Sequence, residues 1–250
     1  MNLHAFELKG ADGKLIRGDL AEGIGRQILF MTGFLSKRWG NKSKALAQWC
    51  EQQGWGFCCY DVRGFGDSGG AFTDYTLSDW MADARAVISM LKTGPGLTIV
   101  GNSLGGWIAW MMAQEFEQVE RLILIAPAFN MMGVRAESVS AERRHDWHSA
   151  GWMPWDDDPL HKDWPLSWKW VEESQNYWKR SFDRLRPVRT TILHGLDDRV
   201  ILPEGSRQFA AQLLARAPGY PIDLNLIQGD HRLSSPEHVE RLHQLVLEPV

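Results

Sequence analysis

Short continuous apolar runs alternate along this chain with stretches whose apolar residues recur every three or four positions. The runs fall at residues 27–31, 56–62, 97–101, 121–127, 190–194 and 222–227. Each has strand length, and most lack the polar alternation of a half-exposed strand, so they predict strands covered on both faces. The helical periods fall at residues 43–53, 77–91, 104–115, 204–216 and 236–247. In residues 77–91, for example, Trp80, Ala84, Val87, Ile88 and Leu91 share one helix face, as Ala45, Leu46 and Trp49 do in residues 43–53. Near the start, residues 3–8 and 14–20 flank Ala11-Asp12-Gly13, a hairpin signal. The alternation predicts an α/β protein with a mostly parallel eight-stranded sheet and helices on both faces. Such sheets bind ligands beyond the carboxyl ends of their strands, so functional residues are expected just after strands.

One stretch breaks the rhythm. Residues 129–187 separate the sixth predicted strand from the seventh, too long a gap for an ordinary connection. Helical patterns at residues 138–148 and 167–182 predict a small helical cap inserted over the sheet edge. The expected division is a core of residues 1–128 and 188–250 with a cap of residues 129–187. Of the 13 tryptophans, seven lie in this insertion: Trp147, Trp152, Trp155, Trp164, Trp168, Trp170 and Trp178. Some must pack the cap onto the core. The remainder are expected to wall an apolar acyl pocket. The run Asp156-Asp157-Asp158 before Pro159 reads as a solvated turn.

Charge and cysteine usage narrow the setting. With 250 residues and a net charge of −4, the chain lacks the clustered positive charge that nucleic acid or an anionic membrane would require. No apolar segment reaches the ~18 residues of a membrane span. Residues 1–13 lack the basic and apolar regions of a secretory leader. Cys50, Cys58 and Cys59 form no CxxC pair and read as reduced core thiols, which suggests a cytoplasmic protein. Nothing in the pattern specifies an oligomeric state.

The chemistry is carried by residues that follow strands. Gly101-Asn102-Ser103-Leu104-Gly105 is a G-x-S-x-G between a predicted strand and a predicted helix, the setting of a nucleophile elbow. A sharp strand-to-helix turn lifts the Ser103 hydroxyl above the sheet, and only glycines tolerate the crowding at its flanks. A hydroxyl needs a base to act as nucleophile near neutral pH. His231, in Gly229-Asp230-His231-Arg232 after the last strand, is the candidate. His145, His148 and His161 fall in the insertion, and His238 and His243 on a helix. His194 ends a strand beside Gly195 and reads as a structural residue of the turn. An acid must orient the base. Asp197 and Asp198 both follow the seventh strand, in the chain order Ser, Asp, His used by one class of such hydrolases. Two N–H donors must receive the oxyanion. Leu104 supplies one, and Phe34, in Thr32-Gly33-Phe34 after an early strand, is expected to supply the other. Asp61 and Arg63, in the glycine-rich segment 61–68, are expected to hold that loop. No phosphate-binding G-x-x-x-x-G-K-[ST] and no convergent metal-ligand set is present, so no cofactor or metal is expected.

The stretches Thr32 to Ser36, Lys44 to Ala47, Tyr60-Asp61 with Gly64 to Gly70, Val100 to Trp107, His194 to Asp198 and Gly229 to Arg232 resemble the α/β-hydrolase superfamily. Within it they are similar to the serine-hydrolase branch of the mitochondrial acyl-glucuronide esterase and palmitoyl-protein thioesterase and its bacterial relatives. The Asp230-His231-Arg232 run is more specific to this branch than the elbow. The resemblance implies that the acid is Asp198, four residues after the histidine of the His194-Gly195 pair. Two departures stand out. Thr32 precedes the oxyanion-loop glycine where the branch has Pro or His, and the loop after Leu35, with Trp39 and Gly40, is about a residue longer. The expected function is hydrolysis of small-molecule carboxylic esters or thioesters through an acyl-enzyme. A carbon–carbon bond hydrolase with the same three residues, or a non-catalytic binding homologue, are the alternatives. Halide or epoxide chemistry on this fold uses Asp as nucleophile, and Ser103 counts against it.

Overall fold

The hairpin signal at Ala11-Asp12-Gly13 joins β1 (His4–Lys9) to β2 (Leu15–Ala21), antiparallel with His4 opposite Leu20. This is a computed structural model describing residues 2–91, 96–156, 162 and 164–248. β2 pairs antiparallel with β4 (Gly56–Asp61), and from there the sheet is parallel. It continues through β3 (Gln27–Met31), β5 (Leu97–Asn102), β6 (Val119–Ile125), β9 (Arg189–Gly195) and β10 (Ile222–Ile227). The order across the eight-stranded sheet is β1-β2-β4-β3-β5-β6-β9-β10. Chain order reverses around β3, which sits beside β5 at the centre, so the loops after these two strands face one another at the carboxyl edge.

Period-two exposure of the strand residues sorts the core into two layers. Ile28, Phe30, Phe57, Cys59, Val100 and Ile123 face α1 (Asn41–Gln53) and α8 (Pro236–Leu247), which contribute Leu46, Cys50, Leu242 and Val246. Leu29, Met31, Cys58, Ile99 and Leu122 face the other way. There they pack with α2 (Leu77–Met90), α3 (Leu104–Glu115) and α7 (Pro203–Arg216). Burying each large apolar side chain is worth about 1.5–3 kcal/mol. Adjacent Cys58 and Cys59 thus lie on opposite faces. All three thiols are free and buried, and burial pushes Cys50 up to about 12. α3 is buried from Leu104 to Gln114, as a helix apolar all round must be.

Between β6 and β9 the chain forms α4 (Met131–Ser138), α5 (Ala141–Ala150), a two-stranded ribbon of β7 (Trp152–Pro154) and β8 (Pro165–Ser167), and α6 (Trp168–Arg180). The pattern predicts two helices here and misses α4 and the ribbon. α4 has only 8 residues and includes Gly133, and each ribbon strand carries a proline, which speaks against a strand in sequence. Asp156 binds the Arg143 guanidinium at 2.5 Å. Asp157, Asp158 and His161 lie outside the described residues.

Two buried ionic networks fix the loops at the carboxyl edge. Arg63, 1% exposed, donates from Nε and its backbone N–H to Asp83 at 2.7 and 2.8 Å, and from Nη1 to Asp12 at 2.9 Å. Asp61 accepts from the Arg38 backbone N–H and Nη1, both at 2.5 Å, and from the Asp67 N–H at 3.0 Å. Arg38 Nε and Trp39 Nε1 both reach Asp19 at 2.7 Å. Asp61 and Arg63 therefore hold the segment 61–68, as the sequence suggests, through separate partners. Removing one member of a buried pair strands the other charge. Arg63→Met is expected to cost about 3–5 kcal/mol of unfolding free energy, read from urea denaturation.

Candidate active site

The turn from β5 into α3 is made at one residue. Ser103 has φ 53° and ψ −119°, a strained combination for a residue with a side chain, costing about 1–3 kcal/mol. Three hydrogen bonds hold it there. Its N–H donates to the Ile125 carbonyl at 2.8 Å, and its carbonyl accepts from Gly106 at 2.9 Å and Ala128 at 3.0 Å. The flanking glycines are demanded by contact: a Cβ on Gly105 would lie 2.4 Å from the Met31 and Thr32 carbonyl oxygens, and one on Gly101 2.5 Å from the Gly105 oxygen.

Two distant loops converge on this hydroxyl. His231 Nε2 lies 3.1 Å from Ser103 Oγ, and its Nδ1 lies 2.7 Å from Asp198 Oδ2. A carboxylate can only accept, so Nδ1 carries the proton and Nε2 is left to accept from the serine hydroxyl. Asp198 is 2% exposed and follows β9, which neighbours β10, the strand leading to His231. Asp197 points elsewhere. It is exposed and its carboxylate accepts from Gln228 Nε2 and the Gly229 N–H, linking the loops after β9 and β10.

Leu104 opens α3, where the first N–H groups have no intrahelical acceptor. Gly33 brings the loop after β3 against the serine, since a Cβ there would be 3.1 Å from Ser103 Cβ. Phe34 follows it and joins Gly33, Ser103 and His231 in the wall of one cavity of about 410 Å³. That cavity is otherwise lined mainly by polar residues, including Thr32, Ser36, Lys37, Lys42, Asn102, Arg232 and Ser234. None of the seven insertion tryptophans lines it. The Phe34 ring instead packs against Trp155 and Trp170 at centroid distances of 5.5 and 4.8 Å, and against Phe65, Phe72 and Trp80. Trp155 and Trp170 thus belong to an aromatic cluster around the Phe34 ring. Among the described residues, no group of three or more His, Cys, Asp or Glu side chains is arranged to hold a metal, and no helix is long and apolar enough to cross a membrane.

Known proteins share both the sequence and the architecture. The family model for the serine aminopeptidases, S33, matches residues 27–147. The mitochondrial palmitoyl-protein thioesterase ABHD10 of Mus musculus is 26% identical over 230 residues, covering 86% of this chain and 72% of the relative. The structure of α/β hydrolase domain-containing protein 10 from mouse superposes with a TM-score of 0.85 at 22% identity, over 97% of this chain and 96% of the other. A crystal structure from Agrobacterium vitis S4 gives a TM-score of 0.84 at 25% identity, over 98% and 97%. The chain has the α/β-hydrolase fold and is similar in sequence to serine hydrolases that share it. The same relatives correct the expected cytoplasmic location, because the curated ones are mitochondrial proteins. Buried reduced thiols report on packing and not on a cellular address.

One residue of this site escapes the sequence reading. His194, fully buried, places Nε2 3.1 Å from Asp198 Oδ2, the oxygen that also meets His231. Its Nε2 also lies 2.9 Å from the Ile201 carbonyl and its Nδ1 2.8 Å from Ser206 Oγ. With two acceptors at Nε2, the proton sits there and Nδ1 accepts from the serine. The turn role inferred from Gly195 is therefore incomplete. Its spacing to Asp198 was visible, but a strand-end histidine gives no sign of where its ring points. Arg38 is the second omission, and no local motif marks it.

Burial alone would push the Asp198 carboxyl up. Hydrogen bonds from His194, His231 and the Ile201 N–H outweigh it and hold the group well below the ordinary carboxylate range. The native carboxylate thus binds a proton less tightly than the unfolded one, whose pKa is about 3.9. Its stabilisation is complete above that value and is lost as pH falls through the native one. The gap in unfolding free energy between wild type and Asp198→Asn is expected to narrow as pH drops from about 6 to about 3. Urea midpoints across that range measure it, and a constant gap would contradict the network.

Proposed function

We propose that this α/β-hydrolase cleaves small-molecule carboxylic esters or thioesters through an acyl-enzyme, with Ser103 as nucleophile, His231 as base and Asp198 as the orienting acid. The continuous chain of contacts Ser103–His231–Asp198 at the carboxyl edge of the sheet carries the reading. The bond class, a carboxylic ester or thioester, agrees with the thioesterase relatives.

Ser103 Oγ attacks the carbonyl carbon as its proton passes to His231 Nε2. The carbonyl oxygen becomes an alkoxide held by the Leu104 and Phe34 N–H groups, each such donor being worth about 2.7–4 kcal/mol where measured. The intermediate collapses, the C–O or C–S bond breaks, and the imidazolium gives its proton to the leaving oxygen or sulfur. Water, deprotonated by the same imidazole, then attacks the acyl carbon and releases the acid and Ser103. Every proton and electron pair comes from side chains, substrate and water. Asp198 stays ionised throughout, which its four hydrogen-bond donors favour. We assign residues 129–187 as a cap. Its Trp155 and Trp170 brace Phe34, which fixes the backbone that must supply the second oxyanion donor.

Ser103→Ala is expected to abolish the burst of p-nitrophenolate from an activated ester and to lower kcat by about 10⁴-fold or more. Unchanged turnover rejects the nucleophile. His194→Leu keeps His231 in place but removes one donor from Asp198. The carboxylate then holds the His231 imidazolium more strongly, so the acid limb of the kcat/KM profile should move to higher pH. An unmoved limb in a folded variant would leave His194 a packing residue only.

A further inference from the structure

One amine shares the cavity with Ser103 in surroundings that favour its neutral form. Lys42 is the second residue of α1, and the first turn of that helix is pinned. Ser43, fully buried, accepts from the Gly40 N–H at 2.8 Å and donates to the Gly40 carbonyl at 3.2 Å. Lys42, half-buried, thereby enters the wall that also holds Ser103 and His231. Its Nζ donates to the Arg232 carbonyl, in the residue next to His231. A neutral amine makes that bond with one N–H and keeps its lone pair.

Each element around Lys42 bears on its charge. Burial, opposed by Asp230 and aided by the Arg232 charge, pulls the group down to about 8. Asp230 is exposed, and its carboxylate is turned to the backbone N–H groups of Arg232 and Leu233, at 3.0 and 3.2 Å. The loop before α1 adds the exposed cation Lys37 and Arg38, whose guanidinium is taken by Asp19, Asp61 and Asp67. His231, the remaining ionisable group of the wall, is bound to Asp198. No Asp or Glu lines the cavity, and Lys42 is in no ion pair among the described residues. The positive end of the α1 dipole also disfavours an ammonium in the first turn. At pH 7.5 about a quarter of Lys42 is then the free amine, against about 0.1% of an ordinary exposed lysine.

An amine with a free lone pair, held in a cavity that receives acyl compounds, is itself an acyl acceptor. We propose that Lys42 is a modification site, acylated by the thioesters or activated esters that enter the cavity, and that the acylated side chain obstructs the approach to Ser103. The Nζ lone pair attacks the carbonyl carbon and a C–N bond forms. The C–S or C–O bond breaks, and sulfur or oxygen leaves with the electron pair. The nitrogen gives up one proton to water and the leaving group takes one, so no further reactant is needed. The product is an amide, whose carbonyl and acyl chain occupy part of a space of about 410 Å³. The entry of acyl compounds rests on the hydrolase reading above, whereas the reactivity of the amine does not.

The Ser103→Ala variant, in which the hydroxyl cannot compete for the reagent, is incubated with S-acetyl-N-acetylcysteamine, and lysine acetylation is read by peptide mass spectrometry. At pH 7.5 Lys42 is expected to acetylate about tenfold faster or more than Lys44 on the same helix and Lys37 in the same wall. Its rate should level off above about pH 8. Urea denaturation should erase its lead over the other two. Lys42 reacting no faster than Lys44 in the folded protein overturns the site. Wild-type protein treated with the same thioester and then freed of it should lose p-nitrophenyl acetate turnover in proportion to Lys42 acetylation, about fivefold or more at full modification. Lys42→Arg, given the same treatment, should keep its own starting rate. Undiminished turnover in protein fully acetylated at Lys42 overturns the obstruction. Equal turnover by wild type and Ser103→Ala rejects the hydrolase reading instead and leaves the ranking of the lysines standing.

Discussion

A side chain can stand above a parallel sheet between a strand and a helix only if the chain reverses in a single residue. At Ser103 this reversal requires a positive φ of 53° and places the residue in the crowded gap between β3 and β6. The rest of the carboxyl edge is organised around keeping that turn. Ile125 and Ala128, from β6 and the segment after it, bond its two backbone groups. Gly105 lets the helix start against the last carbonyls of β3. Strain recurs in the segments after β3, β6 and β10: Leu35, Ala126 and Leu233 also have positive φ, at 57°, 43° and 41°. Such conformations persist only where surrounding contacts over-determine them, and the Arg38 and Arg63 networks do so for the loops after β3 and β4.

The fold was legible because its signals are local. The boundaries of β3, α3, β10 and α8 coincide with the apolar periods that predict them, since each element faces one environment along its length. The insertion was legible as an interruption but not in detail. Its ribbon pairs Met153 with Leu166 across a stretch of chain whose prolines hide the pairing from any local pattern. In the site, the glycines around Ser103 declare the elbow because they answer a steric demand within five residues. Asp197 and Asp198 are chemically identical and adjacent. What separates them is which one the turn after β9 directs inward, and only the resemblance to known hydrolases favoured residue 198. His194 and Arg38 act through contacts across the fold, so neither could be read from neighbours in sequence.

The two histidines on Asp198 change how that carboxylate should be viewed. A buried acid with a single partner would be driven toward its neutral form by desolvation. Here Oδ1 is met by the N–H groups of Val200 and Ile201, and Oδ2 by two imidazoles. The backbone donors act at every pH. His194 is fully buried and meets Oδ2 through Nε2. The arrangement fixes the tautomer of His231 from behind while spreading the negative charge over four donors.

Phe34 links the chemistry to the insertion. Its backbone lies against the serine, and its ring closes an aromatic cluster that joins the sheet domain, through Phe65, Phe72 and Trp80, to Trp155 and Trp170. Aromatic contacts of this kind add to burial and resist displacement because they have few rotamers to exchange. The packing of the insertion therefore reaches the loop that lies against Ser103. The same ring divides the site, with aromatic side chains behind it and the polar, cationic cavity in front. Joining the two sides would require displacing one well-packed phenylalanine.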